Sequence, residues 1–194
     1  AAGTYTENVV IPSALAGLTL EGAGVTSIID GGGSGTVVTV QANNVVFKKF
    51  KVQNSATSGT AAGILLTYNG LTGVSGCLIS DIEITGNLNG LGVIGGSGNT
   101  ISNNNIHHNV AYGLLLVAST GNTVQSNTVN YHILDAIALA NAVEVGGPVN
   151  IGSTGNFIKG NTLSNGGRDG IFIGEYCSGN SITDGNTIST FTGI

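Results

Sequence analysis

Charge is what this chain has least of: Asp, Glu, Lys and Arg together make up 8% of 194 residues, against about 25% in an ordinary soluble domain. Only five of these are Lys or Arg, and the formal net charge is −5. That leaves no basic stripe to follow a phosphate backbone, and a nucleic-acid partner is excluded. The single cationic cluster, Lys48, Lys49 and Lys51, falls largely at outward positions of a strand pattern. Long apolar runs are missing too. No stretch approaches the roughly 18 residues that would cross a bilayer as a helix, so no membrane span is expected. Two cysteines and two prolines rule out a disulfide-stapled scaffold and a proline-rich linker. The chain opens Ala1-Ala2-Gly3 with neither a charged nor an apolar leader segment, as a mature end does after signal cleavage. Secretion or a cell-surface location is the expectation.

What the chain has in abundance is Gly, 33 residues of it, arranged periodically. The phrase Gly121-Asn122-Thr123-Val124 followed by Asn127-Thr128-Val129 recurs as Gly98-Asn99-Thr100-Ile101 with Asn104-Asn105-Ile106. It recurs again as Gly155-Asn156-Phe157-Ile158 with Asn161-Thr162-Leu163, and as Gly179-Asn180-Ser181-Ile182 with Asn186-Thr187-Ile188. The leading Asn steps by 23, 34 and 24 residues. A third element keeps the same period, a small residue before alternating apolar ones: Gly90-Leu91-Gly92-Val93, Gly113-Leu114-Leu115-Leu116, Ala136-Ile137-Ala138-Leu139 and Gly170-Ile171-Phe172-Ile173. A fixed period with one inserted loop is the mark of a solenoid. Glycine in a helix interior costs about 1 kcal/mol per residue, whereas corners need Gly and Asn for positive φ.

The fold class that follows is all-β: a single right-handed parallel β-helix of about seven coils, with three short strands per coil, spanning residues 1–194. An inserted loop falls at about 141–154. Asn99, Asn122, Asn156 and Asn180 should stack about 4.8 Å apart as one ladder of amides, and Asn104, Asn127, Asn161 and Asn186 as a second. Cys77 and Ile82 take the two Asn places one coil earlier. The register therefore sets Cys77 and Cys177 about four coils apart, roughly 19 Å at 4.8 Å per coil, too far for a bridge within one chain. Cys77 reads as a small buried filler. Cys177, in the turn Glu175-Tyr176-Cys177-Ser178, reads as an exposed candidate for an intermolecular disulfide.

The opening Gly3-Thr4-Tyr5-Thr6-Glu7-Asn8-Val9-Val10-Ile11-Pro12, with Leu18-Thr19-Leu20-Glu21-Gly22 and Ile28-Ile29-Asp30-Gly31, resembles the first coils of the pectin-lyase-like superfamily. The later Asn-rich coils resemble the right-handed parallel β-helix repeat of periplasmic and cell-surface proteins. The resemblance covers nearly the whole chain and implies the fold. It says little about activity, because the superfold hosts lyases, esterases, epimerases, adhesins and inert spacers. The Gln, paired Asp and Arg of a pectin methylesterase site have no matching positions. The acidic calcium cluster and Arg-Lys array of pectate lyases are also missing.

One constellation is able to carry chemistry. The residue before the third strand's small residue runs Asn89, Tyr112, Asp135, Asp169, so Asp135 and Asp169 should be vertical neighbours. His107, His108, His132 and Arg168 fall in the same turn region. Two such carboxylates could cleave a glycosidic bond or share Ca²⁺, with His132 as general base and Arg168 holding a uronate carboxylate. Alternatively, Arg168 simply neutralises both aspartates. No cofactor is required, with calcium the one candidate. At the end of the chain the terminal rung carries Ile182, Ile188 and Ile194 without a polar or helical cap, and open solenoid edges pair with other molecules. The first expectation is therefore a self-associating structural protein, a sheath, surface-layer or filament subunit stacked end to end. The second is a polysaccharide-binding or polysaccharide-cleaving domain, acting on acidic polysaccharide if it is an enzyme.

Overall fold

The computed structural model describes residues 1–68, 72–143, 146 and 149–192. Their strands run from β1 (Gly3–Thr6) to β22 (Thr187–Ser189) and form three parallel sheets, each taking every third strand. The first sheet joins β1 to β22 in eight strands; the second starts at β2 (Val9–Ile11), the third at β3 (Thr19–Glu21), and each has seven. The result is a right-handed parallel β-solenoid of about seven turns with almost no helix. A 3₁₀ turn lies at Ser13–Leu15.

Each strand is only three to six residues long, so the alternation of the pleat decides what is inside. In the second sheet Ile64, Leu91, Leu114 and Ile137 stack one above another and are fully buried. Val52, Ile84, Ile106, Val129 and Leu163 do the same in the first sheet. The small residue ahead of the second-sheet strands has a steric cause. A Cβ at Gly90 would lie 2.4 Å from the Gly113 carbonyl oxygen of the next coil, and one at Gly113 would lie 2.3 Å from a Val129 methyl group.

The corners are held by buried side-chain amides. Asn99 Nδ2 donates to Asn122 Oδ1 at 2.9 Å, Asn122 Nδ2 to Asn156 Oδ1 at 3.0 Å, and Asn156 Nδ2 to Asn180 Oδ1 at 2.9 Å. At the second corner Asn104, Asn127, Asn161 and Asn186 repeat the arrangement at 3.0 to 3.1 Å. Each Oδ1 also accepts the backbone N–H of the Asn before it, and each Nδ2 also reaches a backbone carbonyl such as Val74 or Ile79. Cys77 heads the first column: its N–H donates to Asn99 Oδ1, and its buried thiol donates to the Ala42 carbonyl. Burial pushes that thiol's pKa up.

A third corner column was not foreseen. The Ser55 N–H donates to Asn87 Oδ1, and both the N–H and Nδ2 of Asn87 donate to Asn109 Oδ1. Two Asn residues 22 apart were its only signal, because Ser55 and His132 fill the flanking places. A fourth column runs through Ser119 and Ser153 and takes in Cys177, whose Sγ accepts the Ser153 N–H at 3.2 Å. Cys177 thus differs from the solvent-facing thiol expected of a turn residue. It is half-buried and packs against the core, because the column turns its side chain inward. An intermolecular bridge through it would have to draw the sulfur out of the column.

Removing one amide from the middle of a column orphans the donors of the coil before it, while the next Oδ1 keeps the backbone N–H. Asn127→Ala strips Asn104 of partners for two buried N–H groups, each costing about 1–3 kcal/mol when left unmade. Urea unfolding should show a loss of at least about 2 kcal/mol, while Asn105→Ala, at an exposed outward position, should stay within about 0.5 kcal/mol of the parent.

Candidate functional site

The corner between the first and second sheets carries the residues with chemistry. Backbone bonds set its order: the Gly90 N–H donates to the Tyr112 carbonyl, Gly113 to Asp135 and Ala136 to Asp169. Tyr112, Asp135 and Asp169 therefore lie on successive coils. Their side chains have separate fates. Asp135 is 0% exposed and is gripped by Arg168, whose Nε donates to Oδ1 at 2.7 Å while Nη2 donates to Oδ2. The Asp169 N–H adds a third bond to Oδ1 at 3.1 Å. The Asp169 carboxylate stands 3.8 Å from Arg168 Nε and is partly exposed.

Asp135 thus anchors the guanidinium and is not a group that meets solvent. Its hydrogen bonds raise the Arg168 pKa further above its ordinary value. A Ca²⁺ ion on Asp135 would have to displace that guanidinium, and among the described residues no three His, Cys, Asp or Glu side chains converge on a metal position. Arg168 remains 41% exposed along its side chain. Its guanidinium carbon lies 5.2 Å from the Phe172 ring centre and 5.9 Å from that of Tyr112, within cation–π reach of both.

The histidines do not join this cluster. His132 turns into the interior, 3% exposed, in the column of Asn87 and Asn109. Its Nε2 lies 3.2 Å from the Ile106 carbonyl oxygen, so that nitrogen carries the proton, and Nδ1 is buried without a partner. His107 ends β13 (Asn105–His107) on the outer face of the first sheet, with His108 just beyond it. The inserted loop begins at Asn141, after β17 (Ile137–Ala140), and rejoins the solenoid where Thr154 bridges Thr120.

Tyr112 also borders a cleft that the sequence reading did not single out. The outward column of the second sheet runs Thr39, Leu65, Gly92, Leu115, Ala138 and Phe172, an apolar stripe where a solvated face would alternate with polar residues. Over β8 (Ala62–Leu66), β11 (Asn89–Ile94) and β14 (Leu114–Val117) lies a cavity of about 350 Å³ bordered by Leu65, Leu88, Gly92, Ala111, Tyr112 and Leu115. Gly92 makes its depth, since a Cβ there would sit 3.0 Å from Leu65 Cδ1.

The sequence profile of the family described as "right handed beta helix region" matches residues 35–194. No curated protein matches the chain. Among solved structures, a double mutant of the periplasmic alginate epimerase AlgG is similar over 95% of this chain and 44% of its own, at 14% identity and a TM-score of 0.67. The Agl-KA catalytic domain is similar over 98% of this chain and 40% of its own, at 17% identity and a TM-score of 0.68. The catalytic domain of a GH87 α-1,3-glucanase in complex with nigerose is similar over 93% and 40%, at 17% identity and a TM-score of 0.61. At these identities the likeness is one of fold. The chain spans less than half the length of each.

Burial at the corner has a pH consequence. Desolvation pulls the His132 pKa down to about 4 from an ordinary 6.5. The unfolded chain therefore binds a proton that the folded one refuses between these values, and stability falls as pH drops from 6.5 to 4, by about 3 kcal/mol if the full shift is expressed. His132→Asn, which continues the column chemistry of Asn109, should remove this loss. Thermal midpoints of the two proteins, followed from pH 7 to pH 4, should diverge only below pH 6.5.

Proposed function

Because the chain belongs to the right-handed β-helix family, whose fold serves as a platform for sites rather than defining one, we propose that it binds a polysaccharide along the outer face of its second sheet. The observation that carries this reading is the cleft beside Tyr112, continued by the Arg168 guanidinium and Phe172. An apolar floor, an aromatic wall and a fixed hydrogen-bond donor are what a sugar ring needs: carbon-bound hydrogens on the aromatic face, hydroxyls on the donor. The fold neighbours include an alginate epimerase and an α-1,3-glucanase whose structure holds nigerose, which supports a glycan as the ligand class.

The local charge favours a neutral glycan over a uronate. Arg168 is satisfied by Asp135, and Asp169 stands beside it as a second carboxylate, so one negative charge is left over to repel an incoming acid. The same geometry argues for binding rather than cleavage. Two-carboxylate hydrolysis needs both groups at the bond, and Asp135 is wholly covered. Affinity electrophoresis in gels cast with soluble neutral glucans or with uronate polymers tests the reading. The protein should be retarded by a neutral glucan, Tyr112→Ala should weaken that by about tenfold, roughly 1.4 kcal/mol, and Gly92→Leu should fill the cleft and abolish it. Equal mobility of all three proteins in every gel would refute it.

A second reading rests on the last coil, where the inward Ile182 and Ile188 are 41% and 49% exposed; Ile194, the third member expected there, lies outside the described residues. Edge-to-edge stacking of two copies would cover these side chains and pair the strand edges. Sedimentation velocity at high concentration should then show oligomers that Ile188→Lys dissolves and Thr187→Lys does not. A concentration-independent monomer excludes it.

A further inference from the structure

The outer face of the first sheet holds a group that the glycan reading does not use. His107 and His108 are neighbours in sequence, yet their Nδ1 atoms come within 2.9 Å of each other. This is not the default for adjacent residues in a strand, whose side chains point to opposite faces. The strand ends at His107, and His108 takes a left-handed conformation at φ 52°, which folds its ring back toward the preceding one.

Both rings are held from behind. His108 stacks on Tyr131 of the next coil at 4.7 Å between ring centres and 20° between planes. His107 presents Nε2 to Glu83 Oε1 of the previous coil at 3.7 Å, and Glu83 in turn pairs with Lys51 at 3.0 Å. Thr85 Oγ1, also on the coil before, lies 3.3 Å from His107 Nδ1. A carboxylate behind one imidazole nitrogen with the other nitrogen turned toward a shared point is the arrangement that orients histidine ligands in metal sites. Partial burial holds the His107 pKa below its ordinary value, and the neutral ring is the ligating form.

We propose that His107 and His108 form a two-nitrogen chelate for a divalent transition metal, Cu²⁺ foremost, with Thr85 beside it and Glu83 orienting His107 from behind. Two nitrogens about 2.0 Å from one ion and separated by the observed 2.9 Å subtend about 90° at the metal, the cis angle of a tetragonal site. Imidazole nitrogen and the order of divalent-ion affinities both favour Cu²⁺ over Zn²⁺. The remaining positions face solvent and would take water. Binding displaces the proton held between the two Nδ1 atoms to the Nε2 of the ring that carried it, so both rings ligate as neutral imidazoles and no net proton is released.

The chain makes the test clean, since its only other histidine is the buried His132. Neighbouring coils place Asn130 opposite His107 in the strand register, and Asn165 has the left-handed φ that His108 has. His107→Asn and His108→Asn therefore put into each place a residue that the solenoid already uses there. Calorimetric titration of the purified protein with Cu²⁺ should show one ion per chain, with paramagnetic resonance recording two equivalent-type nitrogen couplings. Each variant should bind at least about tenfold more weakly, and His132→Asn should bind as the parent does. Should a variant fold poorly, acylation of the parent's imidazoles gives an independent measure: Cu²⁺ should protect His107 and His108 together. Absence of binding by the parent, affinity retained in both variants, or acylation indifferent to Cu²⁺ would each overturn the site.

Discussion

The inter-coil hydrogen bond between buried side-chain amides is the interaction on which the rest of this molecule depends. A solenoid corner takes the backbone out of its sheet and leaves N–H and C=O groups buried where no strand can reach them. Asn repairs this in one residue type: Oδ1 of Asn122 accepts both the N–H and the Nδ2 of Asn99, while Asn122 Nδ2 reaches on to Asn156 and to the Gly96 carbonyl. The bonds between successive Asn residues all run the same way along the axis, each coil donating to the one that follows it in sequence, while the second bond of each Nδ2 runs back to a carbonyl of the coil before. With the corners fixed, strands of three residues suffice, and the sheets need no more sequence information than an alternation of apolar and polar positions.

The same economy explains where departures occur. Where a column residue gives way, the replacement brings a distinct chemical property: in the Asn columns Cys77 a thiol buried under the Ala42 carbonyl and His132 an imidazole held neutral by burial, and in the serine column Cys177 a sulfur in place of a hydroxyl. At the same corner, Arg168 is fixed by an aspartate that solvent does not reach. An exposed arginine loses side-chain freedom when it binds a ligand. This one has already lost it to Asp135 and faces Tyr112 and Phe172 in a settled position.

The fold was legible because each of its determinants repeats. Gly-Asn at intervals of 23, 34 and 24 residues gave the coil, the corner and the insertion together, and the strand registers follow that spacing. The site was less legible, for reasons that particular residues show. Spacing placed Asp135 and Asp169 on successive coils but could not tell that one would be covered and the other partly open, since that depends on Arg168 from the intervening turn. His132 shares a turn with Asp135 in sequence yet points the opposite way, because the corner puts it at an inward position that Asn109 occupies one coil earlier. The cleft left no motif at all. It arises from a missing side chain at Gly92 between Leu65 and Leu115, and an absence becomes visible only when three coils are laid over one another.

The parallel registers carry one more consequence, a mechanical one. Every bond between coils, backbone or amide, lies along the solenoid axis, so tension applied at the chain ends opens bonds one after another instead of shearing a whole strand at once. Each 23-residue coil freed in this way adds roughly 80 Å of contour length at about 3.5 Å per residue. The coil with the inserted loop, 34 residues from Asn122 to Asn156, would add about half as much again. The molecule is in effect a ratchet of nearly equal steps with one long tooth, able to absorb an extension several times its folded length while the coils still engaged keep their sheets intact.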